Sequence, residues 1–371
     1  MKQSESIRKR AIKVAYIVGG LPFGGVETWL FDLTRSAPGY NINPVVINLS
    51  GRGEMQQKFK EQGITIYNTG NSYKCINTHR VDTLFKLILL LKKINPDIIH
   101  TGHFSADYYG RLANLFVRKP IFTHLHNIKI EKKKWRETAN KFLSFFTTAY
   151  IVVSKDVSRR CIQKYHNRAH RPVHILYNMI DNEKFIPKEK TTSPFPDESK
   201  IIVGVGRLVT QKNFDLLIKA FALCSPSLSS TRLAIIGSGP EKNNLKNLAR
   251  KLNIADKVNF LGYREDVPRI LPFTHLIVMP SEYEGFGIAF LEAMYCGVPG
   301  ILSKNTPIRE IAEECSLVTD TTPEDISQKI IKFLTDEKFY NQCSQKAREI
   351  ATQHTVENYI PNLLEIYNKY I

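Results

Sequence analysis

No two of the six cysteines, Cys75, Cys161, Cys224, Cys296, Cys315 and Cys343, form a C-x-x-C pair. Their scatter argues against a zinc ribbon or a disulfide frame and favours reduced thiols in a cytoplasm. The chain also lacks a membrane-spanning run: the uncharged stretch Phe142 to Ser154 is too short to cross a bilayer. Arg8, Lys9 and Arg10 precede an apolar run as in a signal peptide, but Lys13 interrupts that run and Gly19 ends it, which fits a first buried strand better. Internal repeats and low-complexity segments are absent. So are the strings of a helix-turn-helix, a zinc finger or an RNA-recognition motif, which leaves a nucleic-acid binder with only net charge in its favour.

Acidic residues are scarce in one half of the chain. Residues 1–190 hold 32 Lys and Arg against 14 Asp and Glu, whereas residues 191–371 hold 20 against 21. The net charge of +17 therefore belongs to the N-terminal half, and an anionic partner is expected there. The 371 residues, 43% of them apolar, suffice for two folded domains.

Short apolar runs alternate with amphipathic stretches, which predicts α/β architecture with parallel sheets covered on both faces. Strands are predicted at 13–18, 44–49, 64–67, 97–100, 121–125, 149–153 and 173–176, with helices at 27–35, 81–94 and 106–117. After a Pro-, Ser- and Thr-rich linker at 186–200, strands at 201–205, 233–237, 258–261, 276–279 and 300–302 open a second series. Two doubly wound, Rossmann-like domains follow, 1–185 and 201–355, with a final helix from Val356 to Ile371. Ligands of such sheets bind at the C-terminal strand ends, so the expected site is a cleft between facing domains.

The most informative string is SEYEGFGIAFLEAMYCGVPGILS, Ser281 to Ser303. It reads as strand, glycine turn and apolar helix, with Glu284 on the turn and Glu292 on about the second helical turn. A carboxylate on so apolar a helix is costly unless hydrogen-bonded. The two acids can be a cap and a satisfied structural acid, or they can hold a ligand. Gly285 and Gly287 let the backbone approach such a ligand, and the helix start favours an anion. A second string, GRLVTQKNFDLLIKAF from Gly206, puts Arg207 and Lys212 on a strand-to-helix loop, either as a solvated basic loop or as a clamp for a diphosphate.

Taken whole, the Ser281–Ser303 string resembles the E-x7-E signature of the retaining glycosyltransferases of family 4, which have the GT-B fold. The match comprises Ser281, Glu284 to Gly287, Glu292 to Met294, and Gly297 with Pro299. GRLVTQKN is similar to that family's G-R-L-x-x-x-K-G segment, with Asn213 in place of the usual glycine. LYNMIDNEKFIP, Leu176 to Pro187, is similar to its N-G-x-D-x-x-x-F segment, with Met179 in place of glycine. NTPIRE keeps Glu310 but lacks the family's paired glycines, so no role is carried over there.

The resemblance implies site residues. Arg207 and Lys212 would hold the donor's diphosphate, Glu284 would contact the transferred sugar, and Glu292 would accept hydrogen bonds from the ribose. Phe286 and Gly287 would offer backbone N–H groups. Gly24 and Gly25 match the glycine-rich first loop. His126 of THLHN matches the histidine that contacts the donor sugar, with His124 the competing choice. Gly237, Tyr263 and Arg264, at two further strand ends, would line the nucleobase pocket. The final helix would cross back onto the first domain. No Asp-x-Asp occurs, in keeping with an enzyme that needs no metal or other cofactor. The expected donor is a nucleotide sugar, UDP-linked in preference to GDP-linked. The expected acceptor is a glycan or lipid-linked saccharide of bacterial capsule, exopolysaccharide or lipopolysaccharide assembly, at the inner face of the membrane. The segment Lys129 to Phe146, basic and aromatic, suits an anionic membrane surface or a solvated helix with its aromatics inward. Glycoside hydrolysis by Glu284 and Glu292 is the alternative, but it leaves Arg207 and Lys212 without a purpose.

Overall fold

In the computed structural model the described residues are 10–77, 80–126, 134–160, 162, 168–185, 192–195, 199–228 and 230–371. The first half runs β1 (Ile12–Val18), α1 (Gly25–Ser36), β2 (Ile42–Asn48), α2 (Gln56–Glu61), β3 (Ile66–Asn68), α3 (Val81–Ile94), β4 (Ile98–Gly102), α4 (Phe104–Val117), β5 (Ile121–Leu125), α5 (Lys134–Leu143), β6 (Ala149–Val152), α6 (Lys155–Val157) and β7 (Val173–Ile175). The second runs β8 (Lys200–Val205), α7 (Phe214–Cys224), β9 (Thr231–Ile236), α8 (Lys242–Lys251), β10 (Val258–Gly262), α9 (Val267–Ile270), β11 (Leu276–Met279), α10 (Ile288–Tyr295), β12 (Gly300–Ser303), α11 (Arg309–Ala312) and β13 (Ser316–Thr319), followed by α12 (Pro323–Thr335), α13 (Glu337–Ala351) and α14 (Val356–Asn368).

The strands form two sheets in the orders β3-β2-β1-β4-β5-β6-β7 and β10-β9-β8-β11-β12-β13. Every pairing is parallel. Such sheets bury both faces, which explains why IKVAYIV in β1 and LIVM in β11 are nearly continuous apolar runs. Strand β13 was not foreseen: SLVT is a four-residue edge strand with Leu317 and Val318 only partly covered, too short for a periodic signal. In each sheet the order reverses once, between β1 and β4 and between β8 and β11. Those switch points open crevices at the C-terminal strand ends.

Helix α14 returns to the first sheet. Its Tyr359, Ile360, Leu363 and Tyr367 share a core with Val14, Tyr16, Trp29 and Leu30 of β1 and α1. The return is stapled beside the outgoing chain, where Ile180 N–H donates to the His354 carbonyl at 2.9 Å and Val356 N–H to the Ile180 carbonyl at 3.0 Å. Met179, at the unusual position, is buried in that same core. Most of the expected linker, 186–191 and 196–198, lies outside the described residues.

Candidate active site

The loops at both switch points face each other. In the second domain the β8–α7 loop is laced to the β11–α10 loop: Gln211 donates to the Tyr283 carbonyl at 2.8 Å, Glu282 N–H to the Gln211 carbonyl at 2.9 Å, and Asn213 to the Pro280 carbonyl at 3.0 Å. Asn213 has φ 52°, a left-handed conformation that asparagine tolerates best after glycine, so the residue that departs from the motif preserves its turn. This lacing places the Lys212 ammonium on the carboxylate of buried Glu284, which also accepts from the Ser281 hydroxyl at 2.6 Å. Arg207, on the same loop, is exposed and has no side-chain partner among the described residues. A free guanidinium beside a lysine that holds only one acid makes a ready anion site. Gly237 joins the wall by backbone alone. Its φ is 145°, and a Cβ there would collide with the Gly206 carbonyl, so no other residue fits.

Helix α10 starts at Gly287, whose φ of 112° only glycine adopts without strain. Phe286 is buried beneath it, and its carbonyl accepts from Ile308 N–H at 3.0 Å. Glu292 lies on the second turn, as the spacing predicts. Burial pushes its carboxyl up to about 7, with Lys184 pulling down and Asp32 pushing up. Asp32 is itself raised to about 6, again by burial first, against the ion pair it forms with Lys184. Glu292 has no hydrogen-bond partner among the described residues, so its carboxylate is available to hydroxyl donors.

The first domain supplies the opposite wall. Gly24 is extended, at φ −174°, so its lack of a side chain serves space: a Cβ there would strike the carboxylate of Glu27, which folds back over the loop. A Cβ on Gly25 would sit 3.6 Å from Ile288 of α10, one of the points where the two domains approach. His126 is buried at the end of β5, stacked on His124 at 3.9 Å between centroids and 4.6 Å from Trp29. Neither of its ring nitrogens has a hydrogen-bond partner among the described residues, and burial, followed by His103 and His100, holds it well below the ordinary histidine value. It is therefore a neutral ring at physiological pH. His124, the alternative, is tied inward through Nδ1 to His100 Nε2 at 3.1 Å.

Arg264 and Tyr263, expected to line the nucleobase pocket, already have partners. The Arg264 guanidinium is engaged by Asp266 through two hydrogen bonds of 2.7 and 2.6 Å, which removes it from the pool of free cations. Tyr263 is half exposed and meets Phe23 of the first domain with ring centroids 4.5 Å apart and planes tilted by 39°, so it bridges the cleft; burial, followed by Glu265, raises its hydroxyl to about 12. Three features went unread in the sequence. Glu27 lies 3.6 Å from His103 Nε2 at the cleft mouth, and the GGVE string already places that acid next to the glycine pair. Lys184 and Asp32 set the field at Glu292. Glu310 accepts from the backbone N–H groups of Lys155 at 2.9 Å and Asp156 at 2.7 Å, and from the Tyr177 hydroxyl at 3.0 Å, so a second-domain acid clasps the start of α6 in the first.

Two family descriptions match back to back, Glycosyltransferase Family 4 over residues 23–184 and Glycosyl transferases group 1 over residues 185–350. The chain belongs to the family-4 glycosyltransferases. It is 28% identical over 280 residues to the N-acetyl-alpha-D-glucosaminyl L-malate synthase of Bacillus anthracis, covering 71% of this chain and 72% of that one. It is 31% identical over 238 residues to an Escherichia coli UDP-Gal:alpha-D-GlcNAc-diphosphoundecaprenol alpha-1,3-galactosyltransferase, covering 60% and 61%. Among solved structures, Anabaena HepE in complex with UDP and glucose superposes with a TM-score of 0.83 at 20% identity, over 96% of this chain and all of that one. The two-sheet architecture of this glycosyltransferase is thus the GT-B fold. Among the described residues no helix is long and apolar enough to cross a membrane.

Proposed function

We propose that this glycosyltransferase moves a sugar from a UDP-sugar to a glycan or lipid-linked saccharide in surface-polysaccharide assembly, with retention of configuration and without a metal. The observation that carries the reading is the pair of cations at the β8 switch point, Lys212 on Glu284 with Arg207 uncommitted. The donor's diphosphate would lie between them and the start of α10. There fixed positive charge stabilises the negative charge that develops on the departing phosphate. Glu292 would take the ribose hydroxyls, and neutral His126 a hydroxyl of the sugar. In the transfer, the bond from the sugar's anomeric carbon to phosphate breaks while a bond to the acceptor oxygen forms on the same face. The acceptor's proton passes to a leaving phosphate oxygen. The preference for UDP is supported by two relatives, the Escherichia coli galactosyltransferase that uses UDP-Gal and HepE, which is bound to UDP. We place the reaction in the cytoplasm, where scattered free thiols are stable.

Calorimetric titration with UDP, GDP and ADP tests this directly. UDP should bind, GDP and ADP much more weakly, and Glu292→Ala should weaken UDP. Lys212→Ala should lower release of UDP from UDP-sugars by about 10²- to 10³-fold, the usual loss for a charge-stabilising group. Failure of every nucleotide to bind would overturn the reading.

A further inference from the structure

A sheet buried on both faces has no packing need for histidine, yet β4 carries His100 and β5 carries His124, both buried. Strand pairing sets Tyr16 of β1 beside His100, and Gly102 of β4 beside His124. The polar atoms of these rings are joined in a line. The Tyr16 hydroxyl lies 3.4 Å from the Tyr367 hydroxyl of α14, that hydroxyl lies 2.5 Å from His100 Nδ1, and His100 Nε2 lies 3.1 Å from His124 Nδ1. His124 stacks on His126, with ring planes 28° apart. A chain of hydrogen bonds thus runs from the last helix to the ring beneath the proposed sugar contact.

The chemistry of the groups gives the chain a direction. Burial holds His100 down at about 3 and His124 well below the ordinary value, so each ring is neutral, with one donor and one acceptor nitrogen. Burial raises the Tyr367 hydroxyl, which keeps its proton. A phenol is the better donor of the two and an imidazole the better acceptor, so Tyr367 donates to His100 Nδ1. His100 must then carry its proton on Nε2 and donate it to His124 Nδ1, and His124 must carry its own on Nε2. Neither ring turns over without breaking a buried hydrogen bond. His126 makes no hydrogen bond among the described residues; residues 127–133, where the basic segment Lys129 to Phe146 begins, lie outside them. Its ring is oriented by packing: by His124, by Trp29, and by Gly102, where a Cβ would come within 3.8 Å of His126 Nε2. Stacked dipoles prefer opposed senses, so the tautomer of His124 biases which nitrogen of His126 holds the proton, and whether that ring meets a sugar hydroxyl as donor or as acceptor. We infer that Tyr367 is a positioning residue for sugar transfer, fixing the tautomers of His100 and His124 and through them the orientation of His126. The inference rests on the reading of His126 as a sugar contact.

Nitrogen-15 NMR of the histidine rings in the full chain reads the tautomers. In the wild type, His100 and His124 should both be protonated on Nε2. Tyr367→Phe keeps the ring that packs on Phe122 and should move His124 towards Nδ1 protonation. Tyr16→Phe deletes an equally buried hydroxyl one step farther back and should leave both tautomers unchanged. Release of UDP from UDP-glucose, UDP-galactose and UDP-N-acetylglucosamine completes the test. In Tyr367→Phe, kcat should fall about tenfold through misorientation, with KM and the calorimetric affinity for UDP unchanged, whereas Tyr16→Phe should stay near wild type. Nδ1 protonation of wild-type His100 overturns the inference, as do equal effects of the two variants. A chain that binds no nucleotide fails the proposed function, whereas one that binds UDP and turns over normally as Tyr367→Phe fails this inference alone.

Discussion

At Glu292 one carboxyl carries both a pH-dependent share of the folding free energy and the ribose contact proposed above. Burial raises it to about 7 from an ordinary 4.5, so the folded chain holds this proton more tightly than the unfolded one. Its contribution to stability is complete below about 4.5 and is lost as pH rises through about 7. Asp32, raised to about 6, acts in the same sense. Buried His100, His124 and His126 act oppositely, because their lowered values favour the neutral fold and cost stability as pH falls below the ordinary histidine range. The difference between variant and wild type isolates the acid. Glu292→Gln should leave the thermal midpoint near pH 4.5 little changed and raise it relative to wild type near pH 7.5, read by calorimetry of the unliganded protein. Parallel curves for the two proteins would mean that Glu292 is solvated after all.

Among the elements, the glycines divide by what they do. Gly237, with φ 145° and the Gly206 carbonyl in the path of any Cβ, holds two strand-end loops in contact. Gly237→Ala should cost roughly 3 kcal/mol or more, since backbone strain and a backbone clash add. Gly24→Ala should cost little, because only the movable Glu27 carboxylate stands in its way. Comparing the two midpoints by thermal unfolding checks both; similar losses would contradict the assignment. Much of this scale was legible beforehand. Apolar runs bounded by Gly and Pro marked twelve of the strands, since parallel sheets demand continuous burial, and the E-x7-E spacing put Glu292 on its helical turn. The pairing of Arg264 with Asp266, two residues on, was not inferred although both residues lie in one loop. The half-covered edge strand β13 carried no period to read.

For the molecule as a whole, the contacts between domains could not be read from spacing, because they join residues far apart in the chain. Glu310 reaches Lys155 and Asp156, Phe23 reaches Tyr263 at 4.5 Å, and Lys58 reaches Glu265 at 3.6 Å. The Glu310 clasp is the most buried of the three, holding two backbone N–H groups and a tyrosine hydroxyl. Glu310→Ala should loosen the contact between the domains, seen by small-angle scattering as a larger radius of gyration with unchanged circular dichroism. An unchanged radius would leave the domain angle to the other contacts, among them the parallel bridge between Ile180 and Thr355.

The position of α14 also orders events during synthesis. Its Tyr367 hydroxyl lies 2.5 Å from His100 Nδ1, and Tyr359 closes on Trp29, directly behind His126. On the ribosome the first sheet emerges early, yet the helix that seals its core emerges only after the whole second sheet. Until then the side of Trp29, His100 and α1 that α14 covers faces water, an apolar surface of the kind that favours aggregation of a half-made chain.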